Sequence, residues 1–355
     1  MRISCGVILS LMLVPALALP GRAQTLRQEA ARAGILVGTA VQAGYLSQPA
    51  YASTLAREFD MVEPEDALKW TALRPDGRTF NFTEADQIVS FASAHGMEVR
   101  GHNLVWGIHN PKWLAEGKFT PEELSALLHE HIATVVGHFK GRVFAWDVVN
   151  EALDDHGTLR DSIWYNRPGI GLAAQGTAYI EQAFRWAHEA DPQALLFYND
   201  GDAEAMNQKS DAVYAMVKDF RQRGVPIDGV GMQMHILDLA VNTDSVAANI
   251  ARLVKLGVQV HITELDVAVP VDAAGNTVHP GDLARQAELY RRVAEACLRN
   301  SGCTAIQTWG FTDKYSWIGW FTGHRKGMAL PFDRQYEPKA AYRALMQALA
   351  GATVR

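Results

Sequence analysis

The sequence predicts one α/β domain, a closed (β/α)8 TIM barrel, and three features lead there. From residue 35 onward short apolar runs alternate with amphipathic stretches, eight runs in all: Ile35–Ala40, Phe59–Val62, Glu98–His102, Val143–Glu151, Ala194–Asn199, Gly229–His235, Gln259–Glu264 and Ala305–Trp309. Several amphipathic stretches end in glycine just before the next run, at Gly96, Gly224 and Gly257. Glycine suits the left-handed position that turns a helix back into a strand. No linker, repeat or low-complexity tract interrupts the series. Eight β/α units in a chain of 355 residues make one barrel, not two doubly wound domains.

The N-terminus stands apart from this series. Arg2 supplies a positive start, Val7 to Val14 an apolar stretch, and Gly21-Arg22-Ala23 the small residues a signal peptidase reads. Residues 1–23 are therefore expected to be a cleaved signal peptide, too short to remain as a membrane helix. Cys5 leaves with it. The mature domain, 24–355, is expected to be secreted, either extracellular or periplasmic.

Within the domain the clearest helix is Pro121–Phe139. Thr120 is placed to cap it, Pro121 takes the first helical position, and Glu123 completes a capping box. Leu124, Leu128, Ile132, Val135 and Phe139 then repeat at helical spacing, which gives one buried stripe. The fourth run, Val143-Phe-Ala-Trp-Asp-Val-Val-Asn-Glu151, is apolar on both alternating faces, as a strand buried in a parallel sheet must be. The longest loops follow runs four, seven and eight, all on one end of the barrel.

Composition narrows the partners. The net charge of −6 disfavours nucleic acid and anionic membranes and suits a neutral ligand. After the leader only Cys297 and Cys303 remain; a close pair in an exported protein is expected to form a local disulfide. There is no CxxC and no Cys/His cluster, so a zinc site built on thiolates is not expected; Gly38-Thr39-Ala40 stands where a metal-dependent barrel hydrolase would want paired histidines, so no metal is expected.

A buried strand that ends in Asn150-Glu151 opens onto something, and strand ends are where barrels do chemistry. The seventh run ends at Glu264 in the same way. Two carboxyls across one barrel mouth can hydrolyse a glycosidic bond, one protonating the leaving oxygen while the other attacks or activates water. The other run ends are also polar or aromatic: His102-Asn103 with Trp106 beyond, Tyr198-Asn199-Asp200, Gln233-Met234-His235, and Gln307-Thr308-Trp309 with Trp317 and Trp320 in its loop. Indole faces suit pyranose rings, while amides and imidazoles hydrogen-bond hydroxyls.

From about Gly34 to Tyr342 the chain resembles the glycoside hydrolase family 10 endo-β-1,4-xylanases. The residues that carry the likeness are Glu65-Asp-Ala-Leu-Lys-Trp70, Gly101-His-Asn-Leu-Val-Trp106, Trp146-Asp-Val-Val-Asn-Glu-Ala152, Gln233-Met-His235, Ile262-Thr-Glu-Leu-Asp266 and Trp309-Gly-Phe-Thr-Asp-Lys-Tyr-Ser-Trp317. The resemblance implies an endo-1,4-β-xylanase acting on xylan and xylo-oligosaccharides with retention, Glu151 as acid/base and Glu264 as nucleophile. It implies that Asn150 bonds the sugar 2-hydroxyl and that His235 partners the nucleophile. Glu65, Asp66, Lys69, His102, Trp106, Gln233, Trp309 and Trp317 would line the sugar subsites, and no cofactor is implied; a monomer is expected. The chain departs from the family pattern at Asp66, where Asn is usual, and at Gly107 and His109. At Gly201 a tyrosine is usual, so an aromatic contact on the leaving-group side is expected to be missing. Two other readings are a hydrolase of a different β-glycan on a related barrel and a sugar-binding protein without catalysis. The two carboxyls speak against the second, and Lys69-Trp70 with Trp309 against the first.

Overall fold

The computed structural model describes residues 24–352; the expected signal peptide, 1–23 with Cys5, lies outside them. Eight strands form the barrel: β1 Leu36–Val41, β2 Met61–Pro64, β3 Glu98–Trp106, β4 Ala145–Asn150, β5 Leu195–Asp200, β6 Gly229–Met232, β7 Gln259–Val267 and β8 Cys303–Thr308. Each pairs in parallel with its sequence neighbours, and β8 pairs with both β7 and β1. The sheet is closed, so it has no exposed edge to protect.

Helices surround it for the reasons the sequence suggests. In Pro121–His138 the Thr120 hydroxyl accepts from Glu123 N at 3.2 Å, and the Glu123 carboxylate accepts from Thr120 N at 2.8 Å. Leu124, Leu128, Ile132, Val135 and Val136 are buried along one face. Gly96, Gly224 and Gly257 have φ of 59°, 66° and 78°, left-handed as their places after helices require.

The barrel interior is not purely apolar. Arg100 of β3 is fully buried and donates to both carboxylate oxygens of Asp147 on β4, one at 3.2 Å, and through Nη1 to His261 Nδ1 at 2.8 Å. Glu63 of β2 lies 3.5 Å from Arg100 and accepts from Gln307 of β8. Buried charges persist only when paired, and this set ties β2, β3, β4, β7 and β8 together beneath the mouth. Burial is the main cause that pushes Glu63 up to about 8.

Three expected boundaries are corrected. β3 continues past His102 to Trp106. The sixth run stops at Met232, and His235–Ile236 pairs separately with Asp266–Val267 at the extended end of β7. β4 stops at Asn150, and Glu151 stands just beyond it with φ 53°. Its backbone N still donates to Asn199 O at 2.9 Å, so the chain turns there while held against β5. A left-handed non-glycine residue costs about 1 kcal/mol or more, which is tolerable where a side chain must be aimed.

Cys297, near the end of the helix Asp282–Leu298, and Cys303, at the start of β8, form the expected disulfide with Cα atoms 5.2 Å apart. It lies at the amino end of β8, away from the mouth.

Candidate active site

Glu264 and His235 form the most heavily braced part of the mouth. The Glu264 carboxylate accepts from Asn199 Nδ2 at 2.8 Å and from His235 Nε2 at 3.0 Å. His235 donates its other nitrogen to Asp266 Oδ2 at 3.1 Å, and Trp317 Nε1 donates to that same oxygen at 2.7 Å. Burial alone would strip the His235 proton, but the carboxylates of Asp266 and Glu264 on either side hold it well above the ordinary imidazole range. Burial likewise pushes the Glu264 carboxyl up, and here the His235 bond and charge, the His102 charge and the Asn199 bond win. They hold Glu264 below the usual glutamate value, so it is an anion at neutral pH.

Glu151 is held differently. It is partly exposed, accepts from Trp106 Nε1 at 3.1 Å and from Gln233 Nε2 at 2.8 Å, and so meets neutral donors alone. Gln233 Nε2 also lies 3.4 Å from Asn150 Oδ1, which accepts from Asn199 Nδ2 at 2.9 Å. A chain of amides thus connects the two carboxyls: Glu151, Gln233, Asn150, Asn199, Glu264. Within it Asn150 Nδ2 is buried and has no partner. A buried donor left without a protein partner calls for one from outside the chain, and a sugar hydroxyl in the mouth could accept from it.

The remaining expected residues gather on one side of the pair. His102 donates Nδ1 to Asp147 at 3.0 Å and lies edge-on to Trp309 at 5.3 Å between centroids. Lys69 Nζ sits 5.5 Å over Trp106 and 5.7 Å over Trp309, and pairs with Asp66 at 2.8 Å. The Asp66 departure therefore neutralises the lysine beside it. Burial, then the charge of Asp66, pushes the neighbouring Glu65 up to about 7. His109 stacks on Trp106 at 5.3 Å, and Gly107 packs against Ser162.

Gly201 proves to be more than a missing ring. A Cβ placed there would lie 2.4 Å from Gln233 Oε1, the side chain that holds Glu151. Asn199 and Asp266 also do more than expected. Both are polar positions at strand ends, which is the one sequence signal that could have singled them out. Their partners depend on how neighbouring strands align.

Two carboxyls so differently held, on β7 and just beyond β4, in a mouth walled by indoles and amides, are the equipment of a glycoside hydrolase. Comparison with known proteins narrows the class. Residues 25–348 match Glycosyl hydrolase family 10. Endo-1,4-beta-xylanase B of Thermotoga neapolitana is 44% identical over 326 residues, covering 91% of this chain and 90% of that protein. Beta-1,4-xylanase of Dictyoglomus thermophilum is 40% identical over 314 residues, 86% of each. Among solved structures, xylanase 10B from Thermotoga petrophila RKU-1 in complex with xylobiose superposes with a TM-score of 0.86 at 43% identity, covering 92% of this chain and 98% of that one. The chain belongs to glycosyl hydrolase family 10.

Proposed function

We propose that the protein is an exported, monomeric, retaining endo-1,4-β-xylanase. The observation that carries the mechanism is the asymmetry of the carboxyls: Glu264 fixed as an anion by His235 and Asn199, Glu151 braced by neutral donors. Glu264 attacks the anomeric carbon while Glu151 gives its proton to the leaving oxygen. A covalent glycosyl-enzyme results, and Glu151 then takes a proton from the water that releases it. The free Nδ2 of Asn150 bonds the 2-hydroxyl of the sugar being transferred. His235, anchored by Asp266, positions the nucleophile. Xylan as substrate is supported by the relatives named above and by the close Lys69, Trp309 and Trp317 walls, which suit a ring lacking the hydroxymethyl group of glucose. Export rests on residues 1–23 as read from the sequence.

The test is product analysis on xylan, cellulose and mixed-linkage glucan, with the anomer of the first product followed by NMR. Internal cleavage of xylan, little action on cellulose and a β-anomer released first are expected. Comparable turnover of cellulose overturns the substrate, and an α-anomer released first overturns the mechanism.

A further inference from the structure

Two exposed rings near the mouth, Trp320 and Phe321, are used by nothing described above. The Trp317 ring lies 4.8 Å from the His235 ring on one side and 4.7 Å from the Phe321 ring on the other. Aromatic contact therefore runs without a break from the partner of the nucleophile out to the rim. At its outer end Phe321 is 55% exposed, and Trp320, the residue before it, is 80% exposed.

These two rings are not left outside by a loose loop. They sit on the single helical turn Ile318–Phe321, whose Ile318 is fully buried against Ala268, Ala329 and Leu330. With Ile318 pointing inward, Trp320, two positions on, faces away, while Phe321 reaches the rim along the Trp317 ring. The backbone behind them is tied: Thr322 N bonds Ile318 O at 3.0 Å, Gly323 N bonds Trp320 O at 3.2 Å and His324 N bonds Gly319 O at 2.7 Å. The Thr322 hydroxyl donates to Ile318 O at 2.7 Å and accepts from Lys326 N at 3.1 Å. Lys326–Gly327 then pairs antiparallel with Val269–Pro270 of the loop after β7. Single exposed apolar side chains need no explanation. Two large exposed rings at successive positions of a pinned turn, Phe321 being continuous with the mouth through Trp317, are of the kind that marks a binding surface.

We propose that Trp320 and Phe321 form an outer sugar-binding platform, which takes a pyranose ring of the bound glycan beyond the sugars held between the carboxyls. The occupant follows from continuity: the same ring ladder begins at the residue that holds the nucleophile. It also follows from chemistry, because flat indole and phenyl faces suit the C–H face of a pyranose. The platform would strengthen binding of long chains and add nothing to short ones. This inference rests on the proposed xylanase reading.

The test compares two substrates, an aryl β-xylobioside that fills the cleft alone and xylohexaose that can reach the rim. A lost ring–sugar contact of the strength of other aromatic pairs changes affinity by about three- to tenfold. Trp320→Ala and Phe321→Ala should each raise KM for xylohexaose by about that factor relative to KM for the aryl xylobioside, and Trp320→Phe should recover most of the difference. If the ratio of the two KM values stays at its wild-type level, or Trp320→Phe is as poor as Trp320→Ala, the platform is wrong. If the unmodified enzyme cleaves neither substrate, the xylanase reading falls instead.

Discussion

The two halves of the mouth hold the same functional group in opposite ways. On the β7 side Glu264 is buried, bonded by a charged imidazole and an amide, with a second carboxylate fixing the imidazole from behind. On the β4 side Glu151 is reached by an indole and an amide and opens to the cleft. Neither sequence neighbourhood announces this difference, since both are a glutamate after an apolar strand. The role of a carboxyl is set by what neighbouring strands bring to it, and a carboxylate kept as an anion by its surroundings is suited to attack.

The comparison breaks most sharply under substitution of the carboxyls themselves. Glu264→Ala should lose about ten-thousandfold or more in kcat on every substrate, because no covalent intermediate can form. Glu151→Ala should lose about a hundred- to ten-thousandfold on xylan. On a dinitrophenyl glycoside, whose leaving group needs no proton, it should still form the glycosyl-enzyme. Azide should rescue Glu151→Ala to a β-glycosyl azide and Glu264→Ala to an α-azide. The reverse pairing of products would exchange the two roles.

A smaller change tests what fixes the β7 side. Asp266→Asn removes the charge that keeps the proton on His235, and Glu264 then loses its cationic neighbour. Because that cation holds the Glu264 titration below the ordinary glutamate value, its loss moves the titration up. The acid limb of kcat/KM should therefore shift to higher pH. The linkage to stability has the same origin. Glu264 contributes stability above its ordinary value that is lost as pH falls through the lowered one, whereas His235 contributes below its ordinary value and ceases to as pH rises through the raised one. An acid limb left in place by Asp266→Asn would show that His235 does not need the aspartate.

On the β4 side the corresponding probe is Gly201→Ala. The new Cβ would press on Gln233 Oε1 at 2.4 Å, loosening the hold on Glu151. A loss of about tenfold in kcat with poor leaving groups and much less with dinitrophenol is expected, in line with partial loss of acid catalysis. Equal losses on both would place the damage elsewhere. The mildest change lies far from both halves. Replacing Cys297 and Cys303 together by Ser opens a short loop worth about 2 kcal/mol at most. The melting temperature should fall by a few degrees with turnover intact; lost turnover would tie the far end of the barrel to the mouth.

Much of this architecture could be read from the chain. All eight strands were expected, with their order and their polar ends, because each is a short apolar run bounded by helix signals. β3 was cut short because Asn103 interrupts its apolar pattern, although Leu104 and Val105 beyond it are buried. The sequence also singled out Glu151 and Glu264, and the structure brings them to one mouth with Gln233, His235 and Trp317. Asn199 and Asp266 were visible as polar strand ends but had no assigned work, since that work exists only through strand alignment: Asn150 lies opposite Asn199, and His235 opposite Asp266. The buried set of Glu63, Arg100, Asp147 and His261 escaped for the same reason, each being one polar residue in or beside an apolar run until the barrel closes.

Gly201 and Gln233 constrain how this sequence can change over time. A side chain at 201 enters only as the free end of Gln233 shifts, and that same end donates to Glu151. The family pattern sets a tyrosine at 201 beside this same glutamine, so the end of Gln233 can re-seat, and a lineage or a mutant library can gain an aromatic residue at 201 without changing 233. Libraries that vary 201 alone would therefore report how far the end of Gln233 can move while it still serves Glu151.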